Sequence, residues 1–107
     1  MDKEQLKNQA VEWICQLIST PRISREENQA ANLLSHLMTA ECGLQVHRQG
    51  NNLWTIAPGY RAERPTLLLN AHIDTVRPVS GWVRNPFEPT REGERIYGLG
   101  SNDDGPA

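Results

Sequence analysis

An α/β fold is the class this sequence predicts: helices flanking the first part of a mixed sheet. Three observations carry it. Apolar residues over the first forty positions recur at three- and four-residue steps, the spacing of amphipathic helices. The period then becomes strand-like, with Leu44, Val46 and the run Leu53-Trp54-Thr55-Ile56 on either side of Gly50-Asn51-Asn52. Last, Thr66-Leu67-Leu68-Leu69-Asn70-Ala71 is a short continuous apolar run, as in strands buried on both faces of a mixed α/β sheet.

The first helix is expected from Lys3 to Ser19, with Leu6, Ala10, Trp13, Ile14, Leu17 and Ile18 on its apolar stripe. Pro21 ends it, because the residue before a proline is pushed out of helical geometry. A second helix is expected from Ser24, whose hydroxyl and Glu27 fit a capping box. Ala30, Leu33, Leu34, Leu37 and Met38 form its apolar face, and Gly43 suits the left-handed position that closes a helix. The Gly50-Asn51-Asn52 turn predicts a hairpin, and Pro58-Gly59 ends its second strand. Val76 to Gly93 reads as a long loop, followed by a short strand at Arg95-Ile96-Tyr97. Trp13 and Trp54 are expected in the core, and His36 and His47 in surface or structural roles.

A chain of 107 residues, 37% hydrophobic and 22% charged, suffices for one small soluble domain with a thin core. The net charge of -2 and the interspersed signs offer no basic patch for nucleic acid. No apolar run is long enough for a membrane helix, and Met1-Asp2-Lys3-Glu4-Gln5 lacks the apolar core of a signal peptide. A cytoplasmic protein with no membrane partner is expected. Cys15 and Cys42 then read as free buried thiols in predicted helices.

Two segments carry chemistry. His72 and Asp74 fall just past the predicted buried strand, where ligands bind in open α/β sheets. Imidazole is a good zinc ligand, and a carboxylate two residues away can hold its other ring nitrogen. Alone, a His-x-Asp is more often structural. The second segment, Tyr97-Gly98-Leu99-Gly100-Ser101-Asn102-Asp103-Asp104-Gly105, sets paired carboxylates among glycines. By itself it also reads as a solvated acidic turn.

Together, in this order and spacing, the segments resemble the zinc peptidase and deacylase family that includes acetylornithine deacetylase, succinyl-diaminopimelate desuccinylase, aminoacylase and carboxypeptidase G2. That pattern is an apolar strand, His-x-Asp-x-Val, a loop with Trp and Pro-Phe, then Tyr-Gly-x-Gly-x-x-Asp. Here it reads Leu67-Leu68-Leu69-Asn70-Ala71-His72-Ile73-Asp74-Thr75-Val76, Trp82, Asn85-Pro86-Phe87, and Tyr97-Gly98-Leu99-Gly100-Ser101-Asn102-Asp103. The resemblance implies that His72 is a ligand to the first of two zinc ions and that Asp103 bridges both. It gives Asp74 the catalytic support role, packed on His72, and a cis peptide bond between Asp103 and Asp104. Cobalt and manganese are the alternative metals.

The same resemblance makes residues 1–107 the N-terminal segment of a catalytic domain. The general-base glutamate, the remaining ligands and the lid domain that mediates homodimerisation are then expected downstream. These residues alone are expected to be inactive and to bind zinc weakly, since two protein ligands fall short of the three or four that zinc sites use. The implied substrate is a small N-acyl amino acid or dipeptide. The chain departs from the family at Leu99, where Arg is common, and at Asp104-Gly105-Pro106, where Met-Lys-Gly is common; the acidic variant resembles the acetylornithine deacetylase branch. That favours N-acetyl- or N-succinyl-ornithine and arginine biosynthesis. A dipeptidase or aminoacylase is the alternative within the family, and a non-enzymatic binding module the alternative outside it. Arg77 and Arg84 are candidate contacts for a substrate carboxylate, and Trp82 and Phe87 for the rim of the site.

Overall fold

The computed structural model describes all residues, Met1–Ala107. Helix α1 spans Lys3–Ile18 and opens on a reciprocal cap: Asp2 accepts from the Gln5 amide at 2.8 Å, and the Gln5 side chain accepts from the Asp2 amide at 2.9 Å. It ends at Ser19, two residues before Pro21. Helix α2 spans Asn28–His36 and continues into a π-helical turn at Leu37–Glu41, after which Gly43 takes φ +65°. Ile14, Leu17 and Ile18 of α1 are buried, with Leu33 and Leu34 of α2 and the later Ile96 packed against them. Ala30, Ala31 and Leu37 complete the buried apolar set. Burying each large member contributes roughly 1.5–3 kcal/mol.

The second helix does not begin where its capping pattern predicts. Ser24 lies in a turn four residues ahead of the helix, and its hydroxyl donates to Asp74 instead of capping a helix. Glu27, the expected partner in the box, accepts from the Arg25 amide at 2.7 Å. A long-range partner for Ser24 outweighs the local cap.

The hairpin is present. β1 (His47–Gln49) pairs antiparallel with β2 (Asn52–Trp54) across Gly50-Asn51, with Gly50 at φ +61° as such a tight turn requires. His47 and Trp54 are cross-strand partners with stacked rings 5.6 Å apart, so Trp54 is exposed on the hairpin rather than in the core. Trp13 is half-buried, and its indole N–H donates to Glu41 at 2.7 Å. A second hairpin joins β3 (Thr90–Glu92) to β4 (Arg95–Tyr97). β4 was expected; β3 lies inside the stretch read as loop, because Thr90-Arg91-Glu92 has no apolar alternation to betray it. Cys15 is half-buried and Cys42 exposed just beyond the π-helical turn; both are free thiols, not buried ones.

The largest correction concerns residues 66–71. They form no strand, make no backbone hydrogen bond, and leave Leu67, Leu68 and Leu69 more than 80% exposed. A strand needs a neighbour to take its N–H and C=O groups, and none lies alongside. The backbone pairs just afterwards instead. Thr75 N donates to Arg22 O at 2.8 Å and Ser24 N to Thr75 O at 2.9 Å, a short parallel bridge that ties the end of the helical region to the His72 segment. The radius of gyration is 15.3 Å, against about 13 Å for a compact domain of this length.

Candidate functional site

The parallel bridge sets the site. Ile23 and Thr75 lie side by side, which brings Ser24 within hydrogen-bond reach of Asp74. The Asp74 carboxylate accepts from the Ser24 hydroxyl on one oxygen and lies 3.1 Å from His72 Nδ1 on the other. The Asp74 carbonyl is also 3.1 Å from Nδ1. Carboxylates and carbonyls only accept, so the proton of the neutral ring sits on Nδ1, and the second proton of the imidazolium is the one Nε2 shares with Asp103 when no metal is bound. Nε2 points at Asp103, 3.1 Å away, with Asp104 at 4.0 Å.

Asp103 reaches that position because the chain doubles back after β4. Gly98 packs on Ile18, where a Cβ would stand 2.5 Å from a side-chain carbon. Leu99 N donates to Pro86 O at 2.8 Å, and Gly105 N closes the loop on Gly100 O at 3.2 Å. The Asp103–Asp104 peptide bond is cis, as the resemblance implies.

The charges respond to one another. Hydrogen bonding from Ser24 holds the Asp74 carboxyl below its usual value; desolvation opposes this, and the neighbouring imidazole adds to it. Desolvation alone would lower the His72 pKa. The hydrogen bonds to Asp74 and Asp103 and the negative charges of Asp103 and Asp104 outweigh it and raise the pKa above the ordinary value.

His72, Asp74 and Asp103, the three residues singled out by sequence, therefore converge. They line an open cleft of about 260 Å³ together with Ser24, Gly100 and Trp82. Phe87 does not line it. Arg77 and Arg84 are engaged elsewhere: Arg77 pairs with Glu26 at 3.1 Å, and Arg84 pairs with Glu92 at 3.1 Å and covers the Tyr97 ring at 3.9 Å. Ser24 was missed as a site residue. Only its pairing with a segment 50 residues away reveals it.

The donors suit a divalent metal in part. Nδ1 is held by a carboxylate, which leaves Nε2 facing a second carboxylate, the arrangement of a ligating histidine with its supporting acid. Still, no three His, Cys, Asp or Glu side chains converge as a complete metal-binding group. His72 and Asp103 fit as two ligands of a larger set.

In class, fold and site are those of an α/β chain bearing a His–carboxylate cluster. Residues 68–105, which hold all three residues, match Peptidase family M20/M25/M40. A succinyl-diaminopimelate desuccinylase from Variovorax paradoxus (strain S110) is 33% identical over 99 residues, covering 82% of this chain and 25% of that protein. An acetylornithine deacetylase from Edwardsiella ictaluri (strain 93-146) is 32% identical over 98 residues, 81% of this chain and 26% of that protein. A succinyl-diaminopimelate desuccinylase from Erythrobacter litoralis (strain HTCC2594) is 28% identical over 109 residues, 90% of this chain and 28% of that protein. The match to the M20/M25/M40 peptidase family lies in the segment that holds the motifs, and the chain spans about a quarter of the length of these curated relatives.

Proposed function

We propose that residues 1–107 are the N-terminal segment of the catalytic domain of a zinc-dependent hydrolase that cleaves the amide bond of an N-acyl amino acid. The observation that carries this reading is the His72 ring held by Asp74 on Nδ1 and facing Asp103 on Nε2 inside the matched segment. His72 and Asp103 would hold metal. Bound zinc supplies a polarised carbonyl and a water made acidic enough to lose its proton near neutral pH. The chain's own residues orient these ligands. Asp74 keeps the proton on Nδ1, so that Nε2 offers its lone pair, and Ser24 keeps Asp74 ionised and aimed at the ring.

The substrate is an N-succinyl or N-acetyl diamino acid, the class spanned by the names of the two kinds of relative. N-acetyl- and N-succinyl-ornithine, within arginine biosynthesis, belong to this class, and N-succinyl-diaminopimelate joins them on the strength of the matches. The protein acts in the cytoplasm, and its full-length form is a homodimer. No helix is long and apolar enough to cross a membrane.

The test uses the full polypeptide encoded with this segment, loaded with zinc. It is given N-acetylornithine, N-succinylornithine, N-succinyl-diaminopimelate and a simple dipeptide. Hydrolysis of at least one acylated diamino acid is expected, abolished by chelation and restored by zinc, cobalt or manganese. Turnover of the dipeptide alone would move the protein to the dipeptidase alternative. No turnover of any by metal-loaded protein would overturn the hydrolase reading.

A further inference from the structure

Arg22 is the only charged side chain sealed in this fold, at 3% exposed. A buried guanidinium is unfavourable unless acceptors surround it. Its acceptors here are two backbone carbonyls, one from each half of the site. Nε donates to Ile73 O at 3.2 Å, the residue between His72 and Asp74. Nη2 donates to Gly100 O at 3.2 Å, in the loop that carries Asp103.

The loop is shaped around this group. Gly100 takes φ +79°, and a Cβ there would stand 2.2 Å from Nη2. A Cβ at Gly105 would stand 3.0 Å from the same nitrogen. The glycines of the acidic segment, read from sequence as turn formers, thus also make room for a guanidinium. The third nitrogen, Nη1, is buried without a partner. Leaving a buried donor unpaired is destabilising, and an apolar side chain of similar volume would avoid it. Stability alone therefore does not account for an arginine at this position.

We propose that Arg22 is a positioning residue for the metal-binding pair: by bridging Ile73 O and Gly100 O it fixes the His72 segment against the Asp103 loop and sets the separation of the two ligands. The proposal rests on the reading of His72 and Asp103 as ligands. Lysine at this position offers a single donor head in place of the planar fork and does not hold both carbonyls.

The experiment compares wild type, Arg22→Ala, Arg22→Lys and Leu37→Ala in the full encoded polypeptide. Leu37 is buried in the turn after α2 and serves as the control for lost stability. Cobalt binding is followed by its visible absorption, and each variant is melted in parallel. Arg22→Ala is expected to weaken cobalt binding about 10- to 100-fold, the range for lost supporting contacts at metal sites, and to change the absorption envelope. Arg22→Lys is expected to do the same to a lesser degree, and it decides the matter if the alanine variant does not fold. Leu37→Ala should lose stability and keep wild-type affinity and spectrum. Wild-type cobalt binding in the Arg22 variants would overturn the proposal, as would equal losses in Leu37→Ala and the Arg22 variants at equal loss of stability. If wild type itself takes up no cobalt, the metal reading fails on its own account. Crystal structures of wild type and Arg22→Lys then decide the positioning role: a wider His72–Asp103 separation in the variant supports it, and an unchanged one overturns it.

Discussion

Ile14, Leu17 and Ile18 in α1 are no more apolar than Leu67, Leu68 and Leu69, yet the first three are buried and the second three stand exposed. The difference lies in what each set meets. α1 satisfies its own backbone, and its stripe finds Leu33 and Leu34 of α2. The leucine run can satisfy its backbone only through a neighbouring strand, and the described chain supplies none. Hydrophobicity selects what can be buried. Backbone hydrogen bonding decides whether a strand former gets the chance. The candidate site sits between these two regimes, anchored to the helical part through Arg22, Ile23 and Ser24 and continuous with the exposed run through Ala71.

The contrast is most directly broken by truncating one residue from each set. Ile18→Ala is expected to destabilise the chain by about 2–5 kcal/mol, while Leu68→Ala changes it by no more than about 0.5 kcal/mol. Urea unfolding of both variants checks this, and equal effects would mean the leucine run is packed in solution. Next in size is Gly98→Ala, which drives a methyl into Ile18 and should cost about 1–3 kcal/mol. In an Ile18→Ala background the same change should cost much less, and thermal melts of the four-member cycle measure that coupling.

The smallest effects belong to the exposed charges. His72 binds its proton more tightly folded than unfolded, so its contribution to stability is present below the ordinary histidine value of 6.5 and is lost as pH rises through the raised one. Asp74 is the reverse: its contribution is present above the model-peptide value of 3.8 and is lost as pH falls through the lowered one. NMR titration of the metal-free chain should find the His72 midpoint above 6.5 and move it down in Asp103→Asn. Ser24→Ala should move the Asp74 midpoint up. A His72 midpoint unmoved by Asp103→Asn would mean the two side chains do not meet in solution.

Much of this was legible in the sequence, for identifiable reasons. α1, the first hairpin and β4 follow local signals: an apolar stripe closed by a proline, a Gly-Asn turn, a short Arg-Ile-Tyr run ahead of glycines. His72, Asp74 and Asp103 were legible because the motif fixes their order and spacing, and the structure brings them within 3.1 Å of one another in turn. Ser24 was misread because a cap pattern four residues long was weighed without its partner 50 residues away. Arg22 gave no signal at all, since burial of a charge depends on carbonyls at positions 73 and 100 that no local pattern reports. The leucine run was misread because apolar continuity records capacity for burial and says nothing of who lies next to it.

The parallel bridge between Ile23 and Thr75 also orders events in time. Closing a loop of that span costs roughly 3.5 kcal/mol of chain entropy, whereas the α1–α2 contacts close much shorter ones. During synthesis, at about 5–20 residues per second, the helical pair can form while the His72 segment is still being made. Asp103 emerges later still. The nascent chain can therefore gain a hydrophobic nucleus seconds before His72, Asp74 and Asp103 are able to meet, so the candidate site assembles on a core that already exists.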